Sequence, residues 1–110
     1  MVNIIPTHHF KRQFKPLAKK YHSLKAEMAL LGESLMENPY QGVPLARGAF
    51  KIRLAIASKN KGKSGGARII TCLRIDPDTI YLIDIYDKSE QADISDKELN
   101  ALIDDIDAEH

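Results

Sequence analysis

Three side chains in this sequence suit chemistry on a phosphodiester: Arg68, Tyr86 and Lys88. A guanidinium can grip a phosphate through two parallel hydrogen bonds and stabilise charge that grows on it in a transition state. A phenol or an amine can move protons if cationic neighbours lower its pKa. Arg68 opens one apolar run and Tyr86 closes the next, with the turn signal Asp76-Pro77-Asp78 between them. If the two runs pair as antiparallel strands, the start of the first lies beside the end of the second. The competing reading is structural: Tyr86 caps the core and Arg68 pairs with Asp84 or Asp87.

A second feature surrounds this pair. No Asp or Glu occurs between Glu37 and Asp76, and residues 38–75 carry a net charge of +8. Residues 76–110 carry −10, so the formal total of +1 hides two poles. Such asymmetry points to a polyanion-binding face and a separate acidic segment. Lys51 and Arg53 alternate with Ile52 and Leu54 on a strand pattern, and Lys59, Lys61 and Lys63 sit in the glycine-containing loop that follows. Lys and Arg on phosphates give salt-dependent affinity without reading sequence. A merely solvated lysine-rich face is the alternative, against which stands the complete exclusion of acids.

Other chemistries find little support. There is no Cys-x-x-Cys and no histidine pair at ligand spacing; adjacent His8 and His9 cannot share one helical face. No metal and no cofactor is expected. Gly62-Lys63-Ser64 resembles the end of a phosphate-binding P-loop, but Ala57 stands where that motif needs glycine. The single cysteine, Cys72, reads as a small strand residue and points to a reducing cytoplasm. No run approaches the ~20 apolar residues of a membrane span, and Met1 to Phe10 shows no signal-peptide pattern.

The elements that must position these residues follow from periodicity. The 110 residues, 44% hydrophobic and 28% charged, suit a single globular domain over 1–110. Val2 to Ile5 reads as a strand stopped by Pro6, and Thr7 as a helix N-cap. Phe10, Phe14, Leu17 and Tyr21 mark a first helix, which Pro16 either kinks or breaks near Lys15. Leu24, Met28, Leu31 and Leu35 mark a second helix, ending before Pro39. The basic hairpin comes next, with Ile69, Thr71 and Leu73 on one face of its second strand and Arg68, Ile70 and Cys72 on the other. Arg68 is thereby expected at a strand end on the polar face. Thr79 to Tyr86 is apolar on both faces except at Asp84, as a central strand would be. Ser95 and Glu98 form a capping box for a last helix, whose acidic end, Asp104 to Glu109, opposes its dipole and is expected to fray.

With these residues in view, the chain resembles the RelE/ParE superfamily of bacterial toxins, most closely the HigB-type branch. The resemblance is carried by Lys51 to Ile70 and by Ile80 to Ser95. It implies an α/β (α+β) RelE-like fold: a small curved, mainly antiparallel sheet packed on two N-terminal helices, with a C-terminal helix. It implies a cytoplasmic toxin that cleaves A-site mRNA on the ribosome without metal, through attack of the RNA 2′-hydroxyl. The implied partners are the ribosome, its mRNA and a cognate antitoxin, a small helix-turn-helix protein. Lys51 and Arg53 match the family's basic pair, Arg68 its phosphate-contacting arginine, and Tyr86 and Lys88 the Tyr-x-Lys of the HigB-type branch. Founding members carry a further arginine and a tyrosine just ahead of the last helix, a region that here holds Glu90 and Ile94. A ParE-like inhibitor of DNA gyrase and a degenerate RNA- or partner-binding module are the other functions this resemblance allows.

Overall fold

A computed structural model describes residues 2–59, 65–75 and 78–109, with the backbone alone at Glu109. Strand β1 (Asn3–Pro6) leads into helix α1 (His8–Lys20) and helix α2 (Leu24–Glu37). Then come β2 (Val43–Pro44), β3 (Ala49–Leu54), β4 (Ala67–Arg74), β5 (Thr79–Asp87) and helix α3 (Asp96–Glu109). The five strands form one mixed sheet in the order β1-β5-β4-β3-β2. Only β1 runs parallel to its neighbour, β5; the other pairs are antiparallel.

Local chemistry accounts for the boundaries. Thr7 Oγ1 accepts from Phe10 N–H and donates to the Leu82 carbonyl, so one hydroxyl caps α1 and ties it to β5. Pro16 does not break the helix, which runs unbroken to Lys20. Tyr21 stands just past its end, and its hydroxyl donates to buried Asp87 at 2.7 Å. The Ser95 hydroxyl caps α3 by accepting from Glu98 N–H.

Helices α1 and α2 cover one face of the sheet. Phe10, Leu24, Leu31 and Leu35 pack there against Ile52, Ile69, Ile80, Leu82 and Ile85. Helix α3 covers the other face, where Leu99, Ile103 and Ile106 meet Ile70, Cys72, Tyr81, Ile83 and Tyr86. Strands β4 and β5 are therefore buried on both sides, which explains their near-continuous apolar runs. The parity of β5 changes midway. Ile80 and Leu82 face α1 and α2, but so does Ile85. Ile70 pairs with Asp84 and Thr71 with Leu82, leaving Ile83 as the extra residue of a β-bulge. One inserted residue moves everything after it to the opposite face. Asp84 and Tyr86 thus share the α3 side with Ile70 and Arg68.

Basic side chains meet the acidic end of α3, which is helical to Glu109. Arg47 meets Asp104 at 2.8 Å and Asp107 at 3.3 Å, and Arg74 meets Asp107 at 3.0 Å. Arg47 reaches them from a left-handed backbone (φ 61), an uncommon conformation for a residue with a Cβ. Its carbonyl accepts from Arg74 Nη1 at 3.0 Å, which holds that turn. Among the described residues no helix is long and apolar enough to cross a membrane.

Candidate nucleic-acid site on the sheet

Strand register builds the site. Arg68 on β4 pairs with Tyr86 on β5 and with Arg53 on β3, so the three form one row across the sheet. Neighbouring strands lie about 4.8 Å apart, which puts the outer members of the row roughly 10 Å from each other. The next row along the same face is Lys51, Ile70 and Asp84. Arg53 and Arg68 are like charges directly opposite one another, an arrangement that disfavours folding by itself. Gly66 lets the row form: a Cβ there would run into the Leu54 carbonyl oxygen, and its own carbonyl accepts from Lys88 N–H.

The expected residues divide by exposure. Arg53 is exposed and makes no side-chain hydrogen bond or ion pair among the described residues. Arg68 is 5% exposed, with Nη1 donating to the Ala67 carbonyl at 3.3 Å. This corrects the expectation of an open strand end: α3 makes the second face of β4 a second core. Asp84 is met by His9 and Asp87 by Lys59. Tyr86 is 4% exposed. Lys88 Nζ donates to the Ala92 carbonyl at 2.7 Å, across the turn that follows β5.

Lys59 is placed against its expected role. Its side chain is 7% exposed and forms an ion pair with fully buried Asp87. It also donates to the Gly65 carbonyl at 2.7 Å and to Ser89 Oγ at 3.0 Å, and lies 5.4 Å from the Tyr21 ring centre. Burial pushes the Asp87 carboxyl up, but hydrogen bonds from Lys59, Ser89 and Tyr21 carry it well below the usual carboxylate range. Lys59 therefore anchors the loop to the core and offers no ammonium to a ligand. Lys61 and Lys63 lie outside the described residues.

One residue of the site escaped sequence reading. Asp93, just ahead of α3, accepts from Lys51 Nζ at 3.1 Å, from Tyr86 Oη at 3.3 Å and from Ile94 N–H at 2.8 Å. Lys51 is on β3 and Tyr86 on β5, so this carboxylate links the strands on either side of β4. The Lys51 hydrogen bond and then the Ile94 amide lower the Asp93 pKa. The Tyr86 phenol moves the other way. Burial, then the charge of Asp93, push it up to about 12. The cationic neighbours in the sequence suggest a lowered pKa, and nothing in the spacing of Asp93 shows that this carboxylate folds back over Tyr86. Beside Tyr86 a groove of about 370 Å³ is walled by Gln13, Pro16, Leu17 and Lys20 of α1 and by Glu90 and Gln91.

A family model described as the RelE toxin of the RelE/RelB toxin–antitoxin system matches residues 4–104. The chain belongs to the RelE toxin family. It is thus the toxin of a toxin–antitoxin pair, and an antitoxin is its partner; toxins of this family are generally endoribonucleases. The matched segment runs from within β1 to within α3 and includes the row of Arg53, Arg68 and Tyr86.

Proposed function

We propose that this toxin, of the HigB-type branch, is an mRNA interferase that cleaves message in the ribosomal A site of the cytoplasm. The observation that carries the reading is the cross-strand pairing of Arg68 with Tyr86, flanked by Arg53. A guanidinium beside a protonated phenol is suited to phosphodiester cleavage without a metal.

In this reading Arg68 grips the scissile phosphate, and Arg53 and Lys88 hold the flanking backbone. The 2′-oxygen forms a bond to phosphorus while the P–O5′ bond breaks, leaving a cyclic phosphate and a free 5′-hydroxyl. Tyr86 stays protonated at neutral pH, since its phenol lies near 12, and it donates to the departing 5′-oxygen. That reverses the role of base that lowered acidity would have given it. Lys88, whose amine donates to a carbonyl, acts as a cation here. Asp93 is the carboxylate nearest the phenol and takes the 2′-hydroxyl proton. Lys51 holds Asp93 in the free toxin and passes to the phosphate when RNA enters, which releases Asp93 as a better base. The segment carrying Asp93 must swing outward for RNA to reach Arg68.

Docking draws on α1. Lys11, Arg12, Lys15 and Lys19 are exposed, and none has a carboxylate partner among the described residues. The test is to map mRNA 5′ ends after expression. Cuts within codons on translated messages support the reading; intact mRNA with altered DNA supercoiling would assign the toxin to gyrase instead. A substrate with a 5′-thio leaving group separates the proton roles. It should rescue Tyr86→Phe but leave Asp93→Asn impaired.

A further inference from the structure

We propose that His9, Asp84 and Glu98 form a binding site for a first-row divalent transition ion such as zinc, at the junction of α1, β5 and α3. One ligand atom from each of the three residues lies within 4.8 Å of the others. The members come from three elements: His9 from the first turn of α1, Asp84 from the bulge of β5, and Glu98 from the first turn of α3.

The chemistry of the donors suits such an ion. Imidazole with carboxylates is a set that zinc accepts, at about 2.0–2.2 Å per bond. Tetrahedral bonds of that length separate ligand atoms by about 3.3–3.5 Å. His9 Nε2 and Asp84 Oδ1 are 3.1 Å apart, close to that spacing. Glu98 is exposed and can close the remaining distance by a rotamer change. Three protein ligands leave a fourth position for water.

The surroundings favour a cation as well. Asp84 is 1% exposed, so its carboxylate lies in a dry setting. Its hydrogen bonds come from His9 and from the Ile85 N–H at 2.9 Å. Glu98 brings a second carboxylate towards it. Two carboxylates facing one imidazole leave an excess of negative charge that a divalent ion would neutralise. The bulge is what creates this meeting. Without Ile83 as the extra residue, Asp84 would follow Leu82 onto the α1 and α2 face and never approach Glu98. Arg12 Nη2 sits 3.4 Å from His9 Nδ1. Metal on Nε2 puts the proton on Nδ1, so exposed Arg12 must step aside.

The site uses none of the residues assigned to the RNA chemistry and needs no RNA to test. The full-length, untagged apo-protein is titrated with zinc(II) while melting is followed, and with cobalt(II) while its visible d–d absorption is followed. Melting temperature should rise with zinc, and cobalt should give the spectrum of a four-coordinate ion at one equivalent. Glu98→Gln, an exposed position that should not disturb folding, should weaken both by more than the ~10–100-fold typical of losing an outer-shell partner. His9→Gln should do the same, and His8→Gln should change neither. Absence of one-to-one binding would overturn the proposal, as would binding that Glu98→Gln leaves intact or that His8→Gln removes.

Discussion

Residues 38–75 hold eight Lys and Arg with no acid, and helix α1 holds five, likewise with none. In the folded toxin these regions diverge. Four cations of the longer stretch are met by carboxylates from the C-terminal third: Arg47 by Asp104 and Asp107, Lys51 by Asp93, Lys59 by Asp87, and Arg74 by Asp107. In α1 only Lys20 finds such a partner among the described residues, at Glu90. Lys11, Lys15 and Lys19 instead stack at i, i+4 spacing, where like charges repel by about 0.2–0.5 kcal/mol per pair. A run of charge in sequence thus shows what the chain carries, not what it presents to solvent. Of the six described cations of the longer stretch, four are committed to carboxylates that hold α3 and the end of β5, whereas α1 keeps a repulsive stripe that an anionic partner would relieve.

The largest expected break in this comparison is at Lys59. Lys59→Met leaves Asp87 buried without its counter-charge, a class of change that costs about 3–5 kcal/mol. Lys15→Met on α1 should stay within about 0.5 kcal/mol of the parent. Urea denaturation measures both. The pH dependence has a definite sign. Asp87 has a lowered folded pKa, so its contribution is full above the unfolded carboxylate value of about 3.9 and is lost as pH falls through the lower folded value. In the variant the unpaired carboxyl is easier to protonate, so the gap between parent and variant should narrow on acidification. Equal denaturation midpoints at neutral pH would return Lys59 to the ligand-binding surface.

Arg68 is the next test, because it belongs to the hairpin yet is assigned to chemistry. Arg68→Ala should lower single-turnover cleavage of ribosome-bound message about 10²–10³-fold. Lysine should rescue in part, since a point charge lacks the bidentate fork. At 5% exposure the residue also contributes to folding, so some loss of melting temperature is expected, and cleavage must be measured well below it. Unimpaired cleavage by the folded fraction would make Arg68 purely structural.

Much of this was legible in the sequence. Helix α2 follows from Leu24, Leu31 and Leu35, and the cap of α3 from Ser95. The meeting of Arg68 and Tyr86 follows from two strands and a turn between them. What stayed hidden depended on a second layer. Arg68 looked exposed because periodicity shows which residues share a face, not what covers it; α3, arriving from the end of the chain, buries that face. The bulge at Ile83 left no mark in an apolar run, so neither the turn of Asp84 towards His9 nor their convergence with Glu98 could be read. His9 and Asp84 are 75 positions apart. Ligand spacing is informative only within one element.

On the α1 side, the expected effect is on binding alone. Replacing Lys11, Lys15 and Lys19 by alanine should weaken ribosome association similarly for all messages. The slope of log K against log salt should fall by up to about 0.7–0.9 for each phosphate no longer neutralised. Melting should hold or rise slightly, because the like-charge pairs disappear. A slope unchanged by the triple substitution would make the stripe an ordinary solvated face.

The smallest effect is expected where α3 meets the hairpin, and it sharpens the contrast most directly. Asp104→Asn with Asp107→Asn removes the carboxylates facing Arg47 and Arg74 without changing side-chain volume. These ion pairs are exposed on the carboxylate side, so their loss should shift melting only slightly. The arginines, however, would come free. Arg74 keeps its hydrogen bonds to the Leu73 and Arg47 carbonyls, so it should remain fixed in place and present its charge to solvent. Two cations would then join the charge available to a polyanion. Binding to a non-specific probe such as heparin should tighten, and its salt slope should steepen towards one further counter-ion for each arginine engaged. Cleavage chemistry should stay unchanged, because Arg53, Arg68 and Tyr86 lie at the other end of β4. If heparin affinity and slope do not move, the acids of α3 were not screening the hairpin, and the division between committed and available charge fails at this end of the sheet.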